Sequence, residues 1–215
     1  MSKLTSEQIK SDSEKWILDA GGTVLRHLPT IGLEELSLRN RSGIAQRALV
    51  LNILVHMSFG APRQLCKEWL ERHGLLGAVS ASELRLLDQT GALDTATENT
   101  LRWEMESLLA AAWLAGFVEE LTPTTGIPDS LASFFPNLQD NETPEAFLSK
   151  VACRSLEEIH PVLDLFYRAN WHTINCNLTG KDPGPLHPGV VYCRRKMLEW
   201  ATHADCDWDD VEMST

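Results

Sequence analysis

Leu101-Arg-Trp-Glu-Met-Glu-Ser-Leu-Leu-Ala-Ala-Ala-Trp-Leu-Ala-Gly-Phe-Val118 is the stretch on which the fold turns. At a period of 3.6 residues, Leu101, Met105, Leu108, Ala112 and Ala115 form one face, and Leu109, Trp113, Leu114 and Phe117 extend apolar character around the cylinder. A helix that is apolar on most sides is buried on most sides. The segment therefore predicts a central helix over 97–117, with Leu108, Ala112 and Trp113 in the core. Its apolar run from Leu108 to Val118 has 11 residues, short of the roughly 18 needed to cross a bilayer. Ile44 to Phe59 behaves the same way, with Asn52 and His56 four apart as its polar interruption. A buried hydrogen bond between those two side chains is the expectation.

Other helix boundaries are written in capping chemistry. Ser80-x-x-Glu83, Thr95-x-x-Glu98 and Ser155-x-x-Glu158 each put a hydroxyl at an N-cap and a carboxylate three residues on, an arrangement that satisfies two orphan N–H groups. Thr143-Pro144 places proline at a first helical position, where its missing N–H costs nothing. Gly74, Gly91 and Gly180 are suitable stops. These signals predict helices over 5–19, 43–59, 62–73, 81–89, 97–117, 144–151, 156–178 and 189–203. Strand signals are weak: Gly22 to Pro29 could be a short extended segment, and Val190-Val191-Tyr192 is too short to decide. Between the helices, 119–143 reads as an irregular acidic connection, either crossing the core or hinging two halves, and 204–215 as an acidic C-terminal tail. The later helices are amphipathic and need the earlier ones to cover them, so the prediction is one mainly α, multi-helix domain over 1–215 with little or no β-structure.

Composition fits that reading. The 215 residues are 43% hydrophobic and 23% charged, an ordinary globular balance that excludes disordered and collagenous chains. Five scattered cysteines without a C-x-x-C pair, behind a polar N-terminus with no signal-peptide pattern, predict reduced thiols in a cytoplasmic protein. The net charge of −11 is concentrated: six acids and no Lys or Arg lie between Glu119 and Ala146, five acids and no Lys or Arg between Ala201 and Thr215, and the remainder carries 19 of each sign. A nucleic-acid binder would show a basic stripe. Here Glu119, Glu120, Asp205, Asp207 and Asp210 are instead candidate contacts for a basic protein partner, against the simpler reading of solvated loop and tail.

The usual catalytic signatures are missing: no G-x-S-x-G, no G-x-x-x-x-G-K-[ST], no G-x-G-x-x-G and no H-E-x-x-H. Asp205-x-Asp207-x-Asp209 opens like a calcium loop, but Asp210 stands where the turn needs glycine. His203 and Cys206 lack a second ligand pair. No metal, cofactor or catalytic residue is predicted. The richest constellation is Asp164, Tyr167, Arg168, Trp171 and His172. Asp164 and Arg168 are four apart on a helix and can pair, either as a structural ion pair or as an arginine held ready for an anionic group. Glu104 lies on the flank of the apolar helix, where burial would raise its pKa. Arg194 is expected to be held by Asp209 or Glu104.

The order of several motifs is specific. Trp16-Ile-Leu-Asp-Ala-Gly-Gly-Thr-Val-Leu-Arg-His-Leu-Pro29, Arg41-Ser-Gly-Ile-Ala-Gln-Arg-Ala48, the 101–118 stretch, Leu163-Asp-Leu-Phe-Tyr-Arg-Ala-Asn-Trp171, Pro188-Gly-Val-Val-Tyr-Cys-Arg-Arg195, Leu198-Glu-Trp200 and Asp207-Trp-Asp-Asp-Val211 follow one another. In that order they resemble the bacterial family called domain of unknown function 4272, over about Trp16 to Val211. The positions matching its recurrent pattern are Arg47, Trp103, Glu104, Asp164, Tyr167, Arg168, Trp171, Arg194, Trp200, Trp208 and Asp209. The resemblance implies the fold and no particular activity.

Two functions follow as expectations. One is a non-catalytic cytoplasmic binding protein, such as an immunity protein that neutralises a toxin through its acidic surface. The other is an enzyme or small-molecule binder whose aromatic-lined pocket or polar network draws on Glu104, Asp164, Tyr167, Arg168, Trp171, Arg194 and Asp209.

Overall fold

A computed structural model describes residues 4–214. The helices are α1 (Ser6–Asp19), α2 (Arg41–Ser58), α3 (Arg63–Arg72), α4 (Ala81–Asp88), α5 (Thr95–Leu114), α6 (Glu145–Lys150), α7 (Leu156–Thr179) and α8 (Pro188–Thr202). All eight lie on the segments expected from sequence, and Val190-Val191-Tyr192 belongs to α8. Gly22 to Pro29 is irregular, and among the described residues β-pairing is limited to one parallel bridge, Ser37 to His203.

Spatial order differs from chain order. α1 packs on α7, α7 on α8, α8 on α5, α5 on α2, α2 on α3 and α3 on α4. Lying between α2 and α8, the second half of α5 has no face left for water. That position explains its all-round apolar sequence: Leu108 to Ala115 are all at most 3% exposed. The run Ala110-Ala111-Ala112 keeps side chains short where neighbouring helices approach, and the side chains at a crossing set the interaxial distance. One core of buried side chains runs from Ile17 to Trp208.

Capping chemistry sets most of the ends. Ser80 and Ser155 form their capping boxes with Glu83 and Glu158, and Thr5 forms another with Gln8. α5 begins differently from expectation. Asp94, not Thr95, is the N-cap and accepts from the Thr97 amide at 2.8 Å, a carboxylate being favoured at the positive end of the helix dipole. At the other end of α5, Gly116 adopts φ +85°, and a Cβ there would lie 2.5 Å from the Ala152 carbonyl oxygen. That closeness lets the segment entering α7 run along the helix end. The Ala152 amide donates to Ala115 O at 2.9 Å and the Arg154 amide to Leu114 O at 3.0 Å. The Arg154 guanidinium adds bonds to the carbonyls of Trp113 (3.0 Å) and Val118 (2.8 Å), satisfying groups that a helix C-terminus leaves orphaned.

The 119–143 connection crosses the core and does not act as a free hinge. Leu121, Leu131, Phe135 and Leu138 are buried, and the Trp69 indole N–H donates to the Glu142 carbonyl at 2.9 Å. The expected Asn52–His56 bond is not among those formed, because this connection offers a better acceptor: Asn52 donates to Pro136 O at 3.0 Å. Burial pushes the pKa of half-buried His56 down, opposed by the same Pro136 carbonyl.

The C-terminal segment is anchored as well. Trp208 is 5% exposed and lies between the Arg47 guanidinium, 4.1 Å from its ring, and the Lys196 ammonium, 4.3 Å from it. The Arg195 guanidinium donates to Met213 O at 3.1 Å and Ser214 O at 3.0 Å. Arg39 donates to the carbonyls of Trp200, His203 and Cys206. Residues 204–214 thus form a strap across the bundle, with their carboxylates presented from fixed backbone.

Candidate ligand-binding site

The polar residues singled out from sequence fall into separate groups. Arg168 and Asp164, 2% and 1% exposed, form a two-pronged pair on α7 with Nε–O and Nη2–O distances of 2.9 Å. Arg168 Nη2 also donates to Pro29 O at 2.9 Å, and Nη1 lies 3.7 Å from Glu14 Oε1. These contacts tie α1 and the irregular segment after it to α7, while Arg168 Nη1 and Glu14 Oε1, both buried, make no hydrogen bond among the described residues. Tyr167 is half-buried near two guanidinium groups, 5.0 Å for Arg195 and 5.8 Å for Arg168. Burial raises its pKa against those positive charges. Trp171 is half-buried on the same helix.

Arg194 is held by neither Asp209 nor Glu104. Its Nε and Nη2 donate to Glu106 Oε2 at 2.8 and 2.6 Å, and Nη1 to Thr122 O at 2.6 Å. The reason is helical phase: residues two apart point to nearly opposite sides of a helix, so Glu106 faces Arg194 while Glu104 cannot. Asp209 has other partners. Its carboxylate accepts from the Ser80 hydroxyl (2.8 Å), the Ser82 amide (2.8 Å) and the Ser82 hydroxyl (2.6 Å) at the start of α4. Although partial burial pushes its pKa up, these bonds hold it below the usual aspartate range.

Glu104 lines a cavity of about 760 Å³ between α5, α7 and α8. Each helix contributes one stripe at helical spacing: Thr100, Trp103, Glu104 and Ser107 from α5; Asn170, Thr173, Ile174 and Asn177 from α7; and Gly189, Tyr192, Cys193 and Lys196 from α8. Met213 of the C-terminal strap completes the wall. The rim is apolar and exposed at Trp103, Ile174 and Tyr192, whereas Ser107, Asn170 and Thr173 are buried in the floor. Trp103 stacks on His187, ring centroids 5.1 Å apart. Gly189 makes that placement feasible, since a Cβ there would stand 2.9 Å from the Trp103 ring. Only Glu104 of the cavity wall was singled out from sequence for its chemistry. The legible trace of the rest was the stripe Asn170, Thr173 and Asn177 on a helix whose other face is Leu163, Phe166 and Ala169.

Hydrogen bonding in the floor is incomplete. The Thr173 hydroxyl donates to Asn170 O at 2.9 Å and the Ser107 hydroxyl to Cys193 O at 3.2 Å. Glu104 Oε2 and Asn170 Nδ2, both cut off from solvent, have no hydrogen-bond partner among the described residues. Four other buried side-chain atoms share this state, Glu14 Oε1, Arg47 Nε, Arg63 Nε and Arg168 Nη1, but only Glu104 and Asn170 share one cavity wall, and each such atom carries its desolvation penalty. Burial pushes the Glu104 pKa up, opposed by a side-chain hydrogen bond from Ser107 to the carboxylate and by the charges of Lys196 and Arg47. Burial, helped by the nearby carboxylates of Glu104 and Glu106, pushes the Cys193 thiol to about 12. It is therefore protonated at neutral pH and a poor nucleophile. The arrangement is suited to holding a polar group in an apolar mouth.

A consequence for stability follows. Glu104 titrates in the folded state above the ordinary glutamate value near 4.3, so folding favours its protonated form. The stability it provides is full below about pH 4 and is lost as pH rises through the raised folded value. Glu104→Gln should therefore be more stable than the parent at pH 7, with the margin closing near pH 4. Urea denaturation at the two pH values measures this, and equal stability at pH 7 would mean that the buried carboxylate is already compensated.

The candidate partner-binding acids lie elsewhere. Glu119 and Glu120 are exposed beyond the end of α5, and Asp205, Asp207 and Asp210 are exposed on the strap. Among the described residues, no group of three or more His, Cys, Asp or Glu side chains is placed to hold a metal ion, and no helix is long and apolar enough to cross a membrane. No curated protein and no solved structure matches the chain. The model of the family described as Domain of unknown function (DUF4272) matches residues 10–211, which takes in the whole length over which the motifs run from Trp16 to Val211, and the chain belongs to that family.

Proposed function

We propose that this is a small-molecule-binding protein whose ligand occupies the cavity between α5, α7 and α8. The observation that carries the reading is the pair of partnerless buried atoms, Glu104 Oε2 and Asn170 Nδ2, in the wall of one cavity. A cavity of this volume, mostly apolar with a few convergent polar groups, has the character of a ligand site. The five cysteines are free, which agrees with residence in the reducing cytoplasm. The test is a thermal-shift screen of a metabolite library against the parent and Trp103→Ala. The expected result is a compound that raises the Tm of the parent and binds Trp103→Ala about tenfold more weakly, the equivalent of roughly 1.4 kcal/mol. A library without any stabilising compound, or hits indifferent to Trp103, would overturn the reading.

A second reading, recognition of a basic protein such as a toxin, is supported by the strap: Asp205, Asp207 and Asp210 are exposed on backbone pinned by Trp208 and Arg195. If such a partner exists, its on-rate should fall as salt rises, because screening at 0.15 M shortens the interaction range to about 8 Å. Neutralising Asp205, Asp207 and Asp210 together should lower the on-rate chiefly. Asp209 is left intact because it caps α4. Salt-independent association kinetics would exclude this surface.

A further inference from the structure

We propose that the groove between α1 and α7 receives a basic amphipathic helix of a partner protein, its apolar stripe on the groove floor and its lysines or arginines on the carboxylates of the rim. This surface shares no lining residue with the cavity between α5, α7 and α8. α1 lends the positions Ile9, Asp12, Ser13 and Trp16, and α7 the positions Glu158, Pro161, Val162 and Leu165. Both sets run i, i+3, i+4, i+7, so each helix turns one stripe toward the space between them. Leu4 before α1 and Leu121 after α5 extend the lining of a groove of about 500 Å³. The floor is apolar: Ile9 and Leu121 are buried, and Trp16, Pro161, Val162 and Leu165 are half-buried, keeping surface for a neighbour. A channel flanked by two helical stripes is the shape that helix-in-groove recognition uses, the incoming helix supplying anchors at the same spacing.

Charge names the occupant. Asp12, Glu119, Glu120 and Glu158 are exposed on the rim, brought together from α1, the connection after α5, and α7. The first three form no ion pair among the described residues, and Lys15, nearly a turn along α1 from Asp12, does not pair with it. Among the described residues the one cation of the lining is Arg154, and its guanidinium is already engaged. It donates to the carbonyls of Trp113, Val118 and Glu119 and to Glu158 Oε1, at 2.8 to 3.3 Å. The groove therefore sets surplus negative charge around an apolar floor, and complementary charge is what favours one partner over another. An acidic helix or a nucleic acid is repelled, and a second copy of this chain would bring the same net charge of −11. None of the partnerless buried atoms lies in this lining, so the floor is complete for apolar contact and needs no polar ligand.

Selection from a displayed library of peptides of about 18 residues, long enough to form a helix, tests this on the intact protein. The selected sequences are expected to carry an apolar stripe at i, i+3, i+4, i+7 flanked by Lys or Arg. In fluorescence anisotropy, a selected peptide should bind the triple variant Asp12→Asn, Glu119→Gln, Glu120→Gln about tenfold more weakly than the parent, the combined effect of three exposed pairs. Leu4→Ser should weaken it about threefold by removing apolar contact at the groove's end. Glu158 is left in place because it closes the capping box of α7. All four substituted sites are exposed, and circular dichroism confirms the fold of each variant. Neutralising Asp205, Asp207 and Asp210 of the strap should leave this binding unchanged. Selection of acidic or uncharged helices, a library without a binder, or an affinity indifferent to the groove substitutions would overturn the inference. Loss of binding in the strap variant alone would also overturn it and move the basic partner to the strap.

Discussion

Arg168→Met should lower the unfolding free energy by about 3–5 kcal/mol, because it strands the Asp164 carboxylate in the interior without its counter-charge. The environment leaves little room for rescue. Asp164 is 1% exposed and takes both of its ion-pair hydrogen bonds from Arg168. The same substitution removes a donor from Pro29 O and a positive charge from beside Glu14, so the contact between α1 and α7 loosens as well. Asp164→Asn should cost less than Arg168→Met, since it leaves a neutral amide beside a guanidinium that still reaches Pro29 and Glu14. Removing both charges with Asp164→Leu and Arg168→Met should recover much of the loss, for an apolar replacement of a buried pair is often nearly neutral. Denaturant unfolding of the singles and the double forms a cycle that isolates the coupling. Singles as stable as the parent would show that water reaches the pair, and the Arg168 guanidinium would then be open to an anion.

The helices and the contents of the core were legible in the sequence because they depend on local chemistry. Apolar periodicity along 101–118 and the Ser-x-x-Glu boxes act within one or two turns, so α5, α4 and α7 could be placed from their own residues. What could not be read is what depends on partners far along the chain. Asp164 with Arg168 is an i,i+4 pair and is foreseeable; Arg194 with Glu106 spans 88 positions, and neither Asp209 nor Glu104, the partners expected from sequence, is the one it takes. The choice between Glu104 and Glu106 turns on the rotational phase of α5 against α8, and two carboxylates two residues apart on an apolar helix do not disclose which faces which neighbour. Asp209 escapes the sequence reading for a related reason: its serines are the N-cap and first turn of α4, 129 and 127 positions away. The cavity was the least legible part. Its stripes on α5, α7 and α8 are ordinary polar interruptions taken singly, and only the packing of the three helices brings Glu104, Asn170 and Lys196 to one wall.

That same packing gives the two tryptophans of α5 opposite roles, and the contrast is the last prediction. Trp113→Ala should cost about 3–5 kcal/mol, as expected for deleting a buried tryptophan whose surroundings collapse only partly. Trp113 is 3% exposed in the last turn of α5. The Arg154 guanidinium lies 4.5 Å from its ring and donates to its carbonyl. Truncation therefore opens a void and also loosens the arginine that closes the helix end and carries the chain toward α7. For a domain whose whole stability is about 5–15 kcal/mol, the loss should appear as a large drop in both Tm and denaturation midpoint. Trp103 is ten residues earlier on the same helix, yet 41% exposed, and its ring rests on His187 at the cavity mouth. Trp103→Ala should stay within about 0.5 kcal/mol of the parent, as surface substitutions usually do, while weakening any ligand in the cavity. A folding cost at Trp103 comparable to that at Trp113 would make it part of the core. A large aromatic that folding does not require, held flat by a glycine at the mouth of a cavity with unanswered polar atoms, is instead accounted for by what it touches when the cavity is filled.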